Sequence, residues 1–331
     1  MQQITLGRTG ERVSQLALGC MLMGTTTDEE SSHEMLDRYL EAGGNFLDTA
    51  NCYAWWPGSP FTGGESESVL GRWFARGGRR DRVFLATKGT AWVADPETVR
   101  AGRAEARDSY SGAGAQTLRR EVDDSLRRLG TDHVDLYYVH VDDRSTPLEE
   151  TLEALAGLVD AGKIRCLGWS NVHTWRLERI RQLCDRYGWP APVAIQQQHS
   201  YLRRRSGVDH SAIVDDEQFD YLRAHDDLTL VAYSPILKGS YDDPTKRREH
   251  PVLEPYRGAD STARLAVLDD VAAELAITPN QLVLAWLLHQ ESPTVVPLIG
   301  PRTLAQYEAA LPALDIKLTS EHLTRLATAG A

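Results

Sequence analysis

Along this chain, short runs of apolar and β-branched residues alternate with stretches whose apolar positions recur every three to four residues, the rhythm of a strand and helix repeat. The runs are LALGC (16–20), NFLDT (45–49), VFLATK (83–88), VDLYYVH (134–140), IRCLGWS (164–170), VAIQQQ (193–198), LTLVAYS (228–234) and TVVPLIG (294–300). Eight strands separated by helices are what a closed parallel barrel requires. Between them, SSHEMLDRYLEAGG sets Met35, Leu36, Tyr39 and Leu40 on one helical face before its glycines end the helix. AQTLRREVDDSLRRLG and PLEETLEALAGLVDAGK carry the same period. Ahead of them ITLGRTGERVSQ reads as a hairpin, and LALGC is short enough to belong to either the hairpin or the barrel. The pattern predicts an α/β fold, a (β/α)8 TIM barrel with an N-terminal β-hairpin, formed by residues 1–331 as a single domain.

Three connections are long for such a fold: 52–64, 89–112 and 236–260, all after strands at the face where the carboxyl ends of the strands open. Long connections in compact domains are commonly lids or binding loops. The first, NCYAWWPGSPFTGGE, sets Trp55, Trp56 and Phe61 among turn formers, and the second opens with GTAWVADPE. Trp55, Trp56, Phe61 and Trp92 are therefore candidate walls of a substrate pocket; the other reading is that such aromatics anchor loops to the barrel rim.

A hydrophobic content of 42% over 331 residues supports a large buried core. With 36 basic against 47 acidic side chains, a net charge of −11 and no basic tract, the chain is a poor fit to nucleic acid. No segment approaches the roughly 20 apolar residues of a membrane span, and MQQITLGRTGERV lacks a signal core, so a cytoplasmic protein is expected. Cys20, Cys52, Cys166 and Cys184 form no CxxC pair, and neither a structural metal nor a disulfide framework is expected. The runs from Arg203 to Arg205 and from Lys246 to Arg248 read as solvated loop charge, with a phosphate or carboxylate clamp as the alternative.

Polar residues stand at the ends of successive runs: Asp48 and Tyr53 in NFLDTANCY, Lys88 in VFLATKG and His140 in VDLYYVH. A barrel brings such residues onto one face. In order along nearly the whole chain, DTANCY, ATKG, VDLYYVH, GKIRCLGWSN, the first glutamine of VAIQQQHS, AYSPILKG and PLIGPRTLAQ resemble the aldo-keto reductase family. The resemblance implies an eight-stranded α/β barrel that binds NADPH without a Rossmann domain. Consistently, GAG at 112–114 follows no strand and is not a dinucleotide fingerprint.

The activity so implied is reduction of an aldehyde or ketone to an alcohol. Hydride transfer to a carbonyl builds negative charge on oxygen, where a proton donor and positive electrostatics must wait. The resemblance assigns Tyr53 as donor, Lys88 as the adjacent charge, Asp48 as the partner that holds Lys88, and His140 as the group that orients the carbonyl or helps relay the proton. A phenol titrates near pH 10, and a nearby ammonium favours its phenolate. The hydride itself comes from the cofactor. Singly these four have ordinary explanations, as a helix cap, a core edge, a solvated lysine and a satisfied core histidine; their joint order favours the tetrad.

For the cofactor, Ser170, Asn171 and Gln196 resemble the family's carboxamide-binding trio, and Tyr233 resembles the residue that stacks on the nicotinamide ring. Ser234, Pro235, Ile236, Leu237, Lys238 and Gly239 would run along the pyrophosphate. After Gly300, the residues Arg302, Thr303 and Gln306 open a helix whose N–H groups and guanidinium suit an adenosine 2′-phosphate, which favours NADPH (NADP+) over NADH. The family's asparagine further along this helix matches Ala310 here. Other departures are Ala54-Trp55-Trp56 after Tyr53, where the family usually has a glycine, and Trp169 in GWSN. Both make the mouth more aromatic, so an apolar, aromatic or sugar-derived carbonyl is the expected small-molecule partner, acted on by a monomer or homo-oligomer. Two competing functions are a non-catalytic NADPH-sensing regulatory subunit and a metal-dependent barrel hydrolase using His140, Asp142 and Asp48. Such hydrolases generally carry HxH at the end of the first strand, where this chain reads LALGCM.

Overall fold

The computed structural model describes residues 1–208 and 211–330, so Ala331, the last position of the expected domain, lies outside the described residues. An antiparallel hairpin, β1 (Gln3–Thr5) and β2 (Arg12–Ser14), pairs Ile4 with Val13. Eight parallel strands follow: β3 (Ala17–Gly19), β4 (Phe46–Asp48), β5 (Phe84–Gly89), β6 (Val134–Val139), β7 (Ile164–Ser170), β8 (Pro192–Gln198), β9 (Thr229–Tyr233) and β10 (Val295–Ile299). Each pairs with the next in sequence, and β10 closes on β3 to make a (β/α)8 barrel. Every predicted run is thus a barrel strand. LALGC falls to the barrel, since its leucine and glycine at 18 and 19 pair with Leu47 and Asp48 of β4.

The two-residue period of a strand sends alternate side chains inward and outward. Inside the barrel Phe46, Phe84, Ala86, Leu136, Tyr138, Ala194, Val231 and Val296 pack together, joined by Leu6 and Val13 from the hairpin segment. Phe46 and Phe84 meet edge to face at 5.3 Å. Gly168 makes room for a large neighbour, because a Cβ there would stand 2.5 Å from the Tyr138 ring. The intervening residues Leu47, Leu85, Tyr137, Leu167, Trp169, Ile195 and Leu230 face the surrounding helices in a second, larger core.

The first helix, Glu29–Glu41, starts before the expected stretch because Asp28 caps it, its carboxylate accepting from the Ser31 amide at 2.8 Å. Ala115–Leu129 ends at Gly130, whose φ of 64° is the left-handed conformation of a helix C-cap. The long connections are more ordered than bare loops. Within 89–112 lies a helix, Pro96–Arg100, and Val93 bridges Tyr110. The third connection carries Pro244–Glu249 and the 3₁₀ segment Pro251–Tyr256, and it ends earlier than expected because the helix Ala259–Glu274 has already begun. The C-terminal helix Ser320–Thr328 is tied back to the segment after β8, where Tyr201 donates to the Leu326 carbonyl and Arg264 donates to the carbonyls of Tyr201 and Ala329. No single helix is long and apolar enough to cross a membrane. The four cysteines are free thiols.

Candidate active site

Carrying the inward parity of each strand to its carboxyl end places a polar residue at the barrel mouth again and again. Phe46 is followed on the inner face by Asp48, Ala86 by Lys88, Tyr138 by His140, Gly168 by Ser170, Ala194 by Gln196 and Val231 by Tyr233. Lys88, fully buried, donates to Asp48 Oδ1 at 2.5 Å, to the Thr49 carbonyl at 2.7 Å and to the Tyr53 hydroxyl at 3.3 Å. The second Asp48 oxygen accepts from Gln196 Nε2 at 2.8 Å. Tyr53 and His140 meet edge to face with ring centroids 5.5 Å apart. The four residues expected to form the tetrad are therefore neighbours, although they come from positions as far apart as 48 and 140.

Burial pushes the Asp48 carboxyl up from its ordinary range, opposed by Lys88 and by the Gln196 hydrogen bond. Burial, reinforced by the Asp48 charge, raises the Tyr53 phenol well above its ordinary value. This reverses the expected direction. Lys88 pairs with the Asp48 carboxylate at 2.5 Å, and burial together with that carboxylate keeps the proton on the phenol. His140 moves the other way, to about 3, because burial and the Lys88 charge both disfavour the imidazolium. It is neutral at physiological pH.

A neutral imidazole has one donor and one acceptor nitrogen. His140 Nδ1 lies 3.6 Å from Cys52 Sγ, and burial pushes that thiol up to about 12, so the sulfur keeps a hydrogen that it can donate to Nδ1. When it does, Nδ1 is the acceptor and Nε2 carries the proton. Sequence reasoning missed Cys52, since nothing in DTANCY marks one of its small residues as a histidine partner.

The carboxamide trio is gathered at the same mouth. Ser170 Oγ donates to the Gln196 carbonyl at 2.7 Å, Asn171 Nδ2 donates to the His140 carbonyl at 2.8 Å, and the Tyr233 hydroxyl donates to Asn171 Oδ1 at 2.9 Å. Gln196 Oε1 has no donor among the described residues. After β9 the backbone enters the left-handed region at Ser234 (φ 52°), Leu237 (44°), Lys238 (59°) and Gly239 (76°), the kind of curvature that turns amides to one side. The stretch 234–239 is only partly free for a phosphate, because the amides of Leu237 and Gly239 donate to Ser234 and Ile236 and the Leu237 side chain is buried in the core. Beyond Gly300, Thr303 caps the helix Leu304–Ala310 and Gln306 Oε1 accepts from the Arg302 amide, so both side chains serve the helix start. The exposed Arg302 guanidinium has no partner among the described residues.

The aromatic residues divide. Trp56, 39% exposed, stands edge to face with Tyr53 at 5.9 Å. Trp55 instead is buried with Cys52, Ala91 and Val93, and its carbonyl accepts from Arg100. Trp92 lies against Gly63 of the first connection and under the guanidinium of Arg128 from the helix Ala115–Leu129, 5.5 Å from its ring centroid. The Phe61 carbonyl also accepts from Arg100. Trp169 has outward parity and is fully enclosed by the helix layer, so it adds nothing aromatic to the mouth. Among the described residues, no three His, Cys, Asp or Glu side chains converge as a metal site would need.

Residues 15–330 match the model of the Aldo/keto reductase family. The chain is 34% identical to YrpG, an uncharacterized oxidoreductase of Bacillus subtilis, over 98% of this chain and 95% of that protein. It is 30% identical to yakc, an aldo-keto reductase of Schizosaccharomyces pombe whose name carries NADP(+), over 93% of this chain and 86% of that one. A solved structure of a thermostable aldo-keto reductase in complex with the inhibitor epalrestat superposes with a TM-score of 0.71 at 28% identity, covering 98% of each chain.

Proposed function

The chain belongs to the aldo/keto reductase family, and from that membership we propose that it reduces an aldehyde or ketone to the alcohol with NADPH, with Tyr53 as the proton donor. The observation that carries this reading is the buried Lys88 held between Asp48 and the Tyr53 hydroxyl, beside a neutral His140. A nicotinamide cofactor, when bound, supplies the hydride. The residues present suit such a group: Gln196 Oε1 offers an acceptor at the mouth, the backbone at 234–239 curves beside Lys238, and Arg302 offers a free guanidinium for a 2′-phosphate.

In this reading the substrate oxygen takes hydrogen bonds from the Tyr53 hydroxyl and His140 Nε2, and Tyr53 Oη then delivers its proton as charge builds there. Lys88 stabilises the phenolate left behind. Asp48 holds the Lys88 ammonium in place as its ion-pair partner. Trp56 closes one side, which favours a flat aromatic or other apolar carbonyl. Residues 1–331 act as one catalytic domain.

Titration with NADPH and, separately, NADH, followed by tryptophan quenching, tests the cofactor without a guess at the substrate. Micromolar binding that favours NADPH, with turnover of aromatic aldehydes, supports the proposal. Binding without turnover of any carbonyl points to the sensing subunit, and no binding of either nucleotide rejects both.

A further inference from the structure

Gln196 ends the inner face of β8 with 2% exposure and donates Nε2 to Asp48 Oδ2 at 2.8 Å, while Lys88 holds Oδ1 at 2.5 Å. A carboxylate only accepts, so this contact fixes which way the amide points: nitrogen toward Asp48, oxygen toward the side where a carboxamide NH₂ would lie. Each oxygen of the carboxylate therefore has its own buried donor. A residue expected only to bind cofactor is joined directly to the ion pair on which Tyr53 depends.

We propose that Gln196 is a positioning residue for the Asp48 and Lys88 pair as well as a ligand of the cofactor, a claim that rests on the carbonyl-reductase reading above. With Oδ2 anchored by Gln196, the carboxylate presents Oδ1 to Lys88, and Lys88 stays within reach of Tyr53. Without that anchor, the carboxylate is free to turn, and Lys88 is left as its side-chain donor. The other groups that face Asp48 are Tyr53 from the first long connection, Tyr138 from β6 and Cys20 after β3. Burial keeps all three neutral, and none of them donates to the Asp48 carboxylate, whose side-chain donors among the described residues are Lys88 and Gln196.

Two substitutions separate this role from cofactor binding. Gln196→Met removes both amide functions at similar volume. Gln196→Glu keeps an acceptor for a carboxamide NH₂ but loses the donor to Asp48 unless the introduced carboxyl is protonated. With NADPH saturating and 4-nitrobenzaldehyde as substrate, both variants are expected to lose on the order of tenfold or more in kcat at neutral pH, about the worth of one charge-assisted hydrogen bond. The Gln196→Glu loss should shrink as the pH falls and the introduced carboxyl gains a proton; the Gln196→Met loss should not.

The cofactor-free protein gives a second readout. With aspartate carboxyls labelled with ¹³C, and the Asp48 signal assigned by Asp48→Asn, Gln196→Met should move the Asp48 titration to higher pH. If both variants weaken NADPH binding while kcat at saturation, its pH profile and the Asp48 titration stay as in the wild type, Gln196 is a cofactor contact only and the proposal is overturned. Tyr53→Phe, run in parallel, keeps the two claims apart: undiminished turnover there removes the underlying reading instead.

Discussion

Lys88 donates to the Tyr53 hydroxyl at 3.3 Å from a position with no solvent exposure, yet the phenol stays protonated because burial, reinforced by the Asp48 charge, raises it well above its ordinary value. Tyr53→Phe should therefore cut kcat by at least about 100-fold, the usual worth of general acid catalysis, while NADPH affinity and stability change little. Steady-state kinetics with a demanding ketone and a parallel fluorescence titration check both halves.

Lys88→Met should behave differently, since it strands a buried carboxylate. Removing one partner of a buried pair costs about 3–5 kcal/mol, and the double variant Lys88→Met with Asp48→Asn should recover much of that loss. Denaturant midpoints of the two proteins decide it. A double variant no more stable than the single one would mean that the Asp48 charge is not what burial penalises.

The two adjacent tryptophans give opposite expectations. Trp55 is enclosed with Cys52, Ala91 and Val93, so Trp55→Ala should lower stability by about 3 kcal/mol. Trp56 is open beside Tyr53, and Trp56→Ala should leave the melting temperature nearly unchanged while reducing kcat/KM for aromatic aldehydes about fivefold more than for short aliphatic ones, the scale of one aromatic contact. Equal changes for both substrate classes would remove Trp56 from the pocket wall.

Arg302 is the one residue of its group whose functional atoms are not used by the helix start, because Thr303 and Gln306 cap it. Arg302→Ala should raise the dissociation constant for NADPH by at least about tenfold and leave that for NADH nearly as it was. Parallel loss for both nucleotides would show that the guanidinium does not meet a 2′-phosphate.

Cys52 and His140 offer a test by spectroscopy. Cys52→Val removes the S–H donor at similar volume, so ¹⁵N shifts of the His140 ring should change from a single Nε2–H tautomer toward a mixture, with a severalfold fall in kcat. An unchanged tautomer would mean that another group sets it.

What the sequence made legible follows from physics that is local. Strands such as VDLYYVH are apolar on both faces because a barrel buries both, and their two-residue period carries Tyr138 to His140 on the inner side, so polar residues at strand ends could be placed at one mouth, while their roles, and Tyr53 itself, came from the family resemblance. The loop tryptophans have no period to place them, and Trp55, Trp56 and Trp92 end in three different surroundings. Trp169 was misread for a related reason: a motif marks its neighbours Ser170 and Asn171, but strand parity turns its own side chain away. The contact from Gln196 to Asp48 joins residues 148 positions apart, and no spacing announces it. The direction of the Tyr53 shift depends on the net of burial, Asp48 and Lys88, which residue types do not reveal.

His140 also makes stability depend on pH. In the unfolded chain a histidine binds a proton near pH 6.5, whereas in the folded site burial and Lys88 delay this to about 3. Between those values the unfolded state holds the extra proton, so stability should fall as the pH drops through that window, by up to about 1.4 kcal/mol per unit from this group. Above the upper value the term is fully present and flat. His199, buried and brought down to about 4, adds a slope of the same sign. Carboxylates elsewhere also titrate here, so the informative quantity is the difference between the wild type and His140→Gln, measured as unfolding free energy from pH 7 to pH 4. The gap between the two curves should change steadily below pH 6.5, with the variant losing less as the pH falls. Parallel curves would show that His140 already accepts a proton in the folded protein near neutrality, and its role as a neutral donor to the carbonyl would fall with that result.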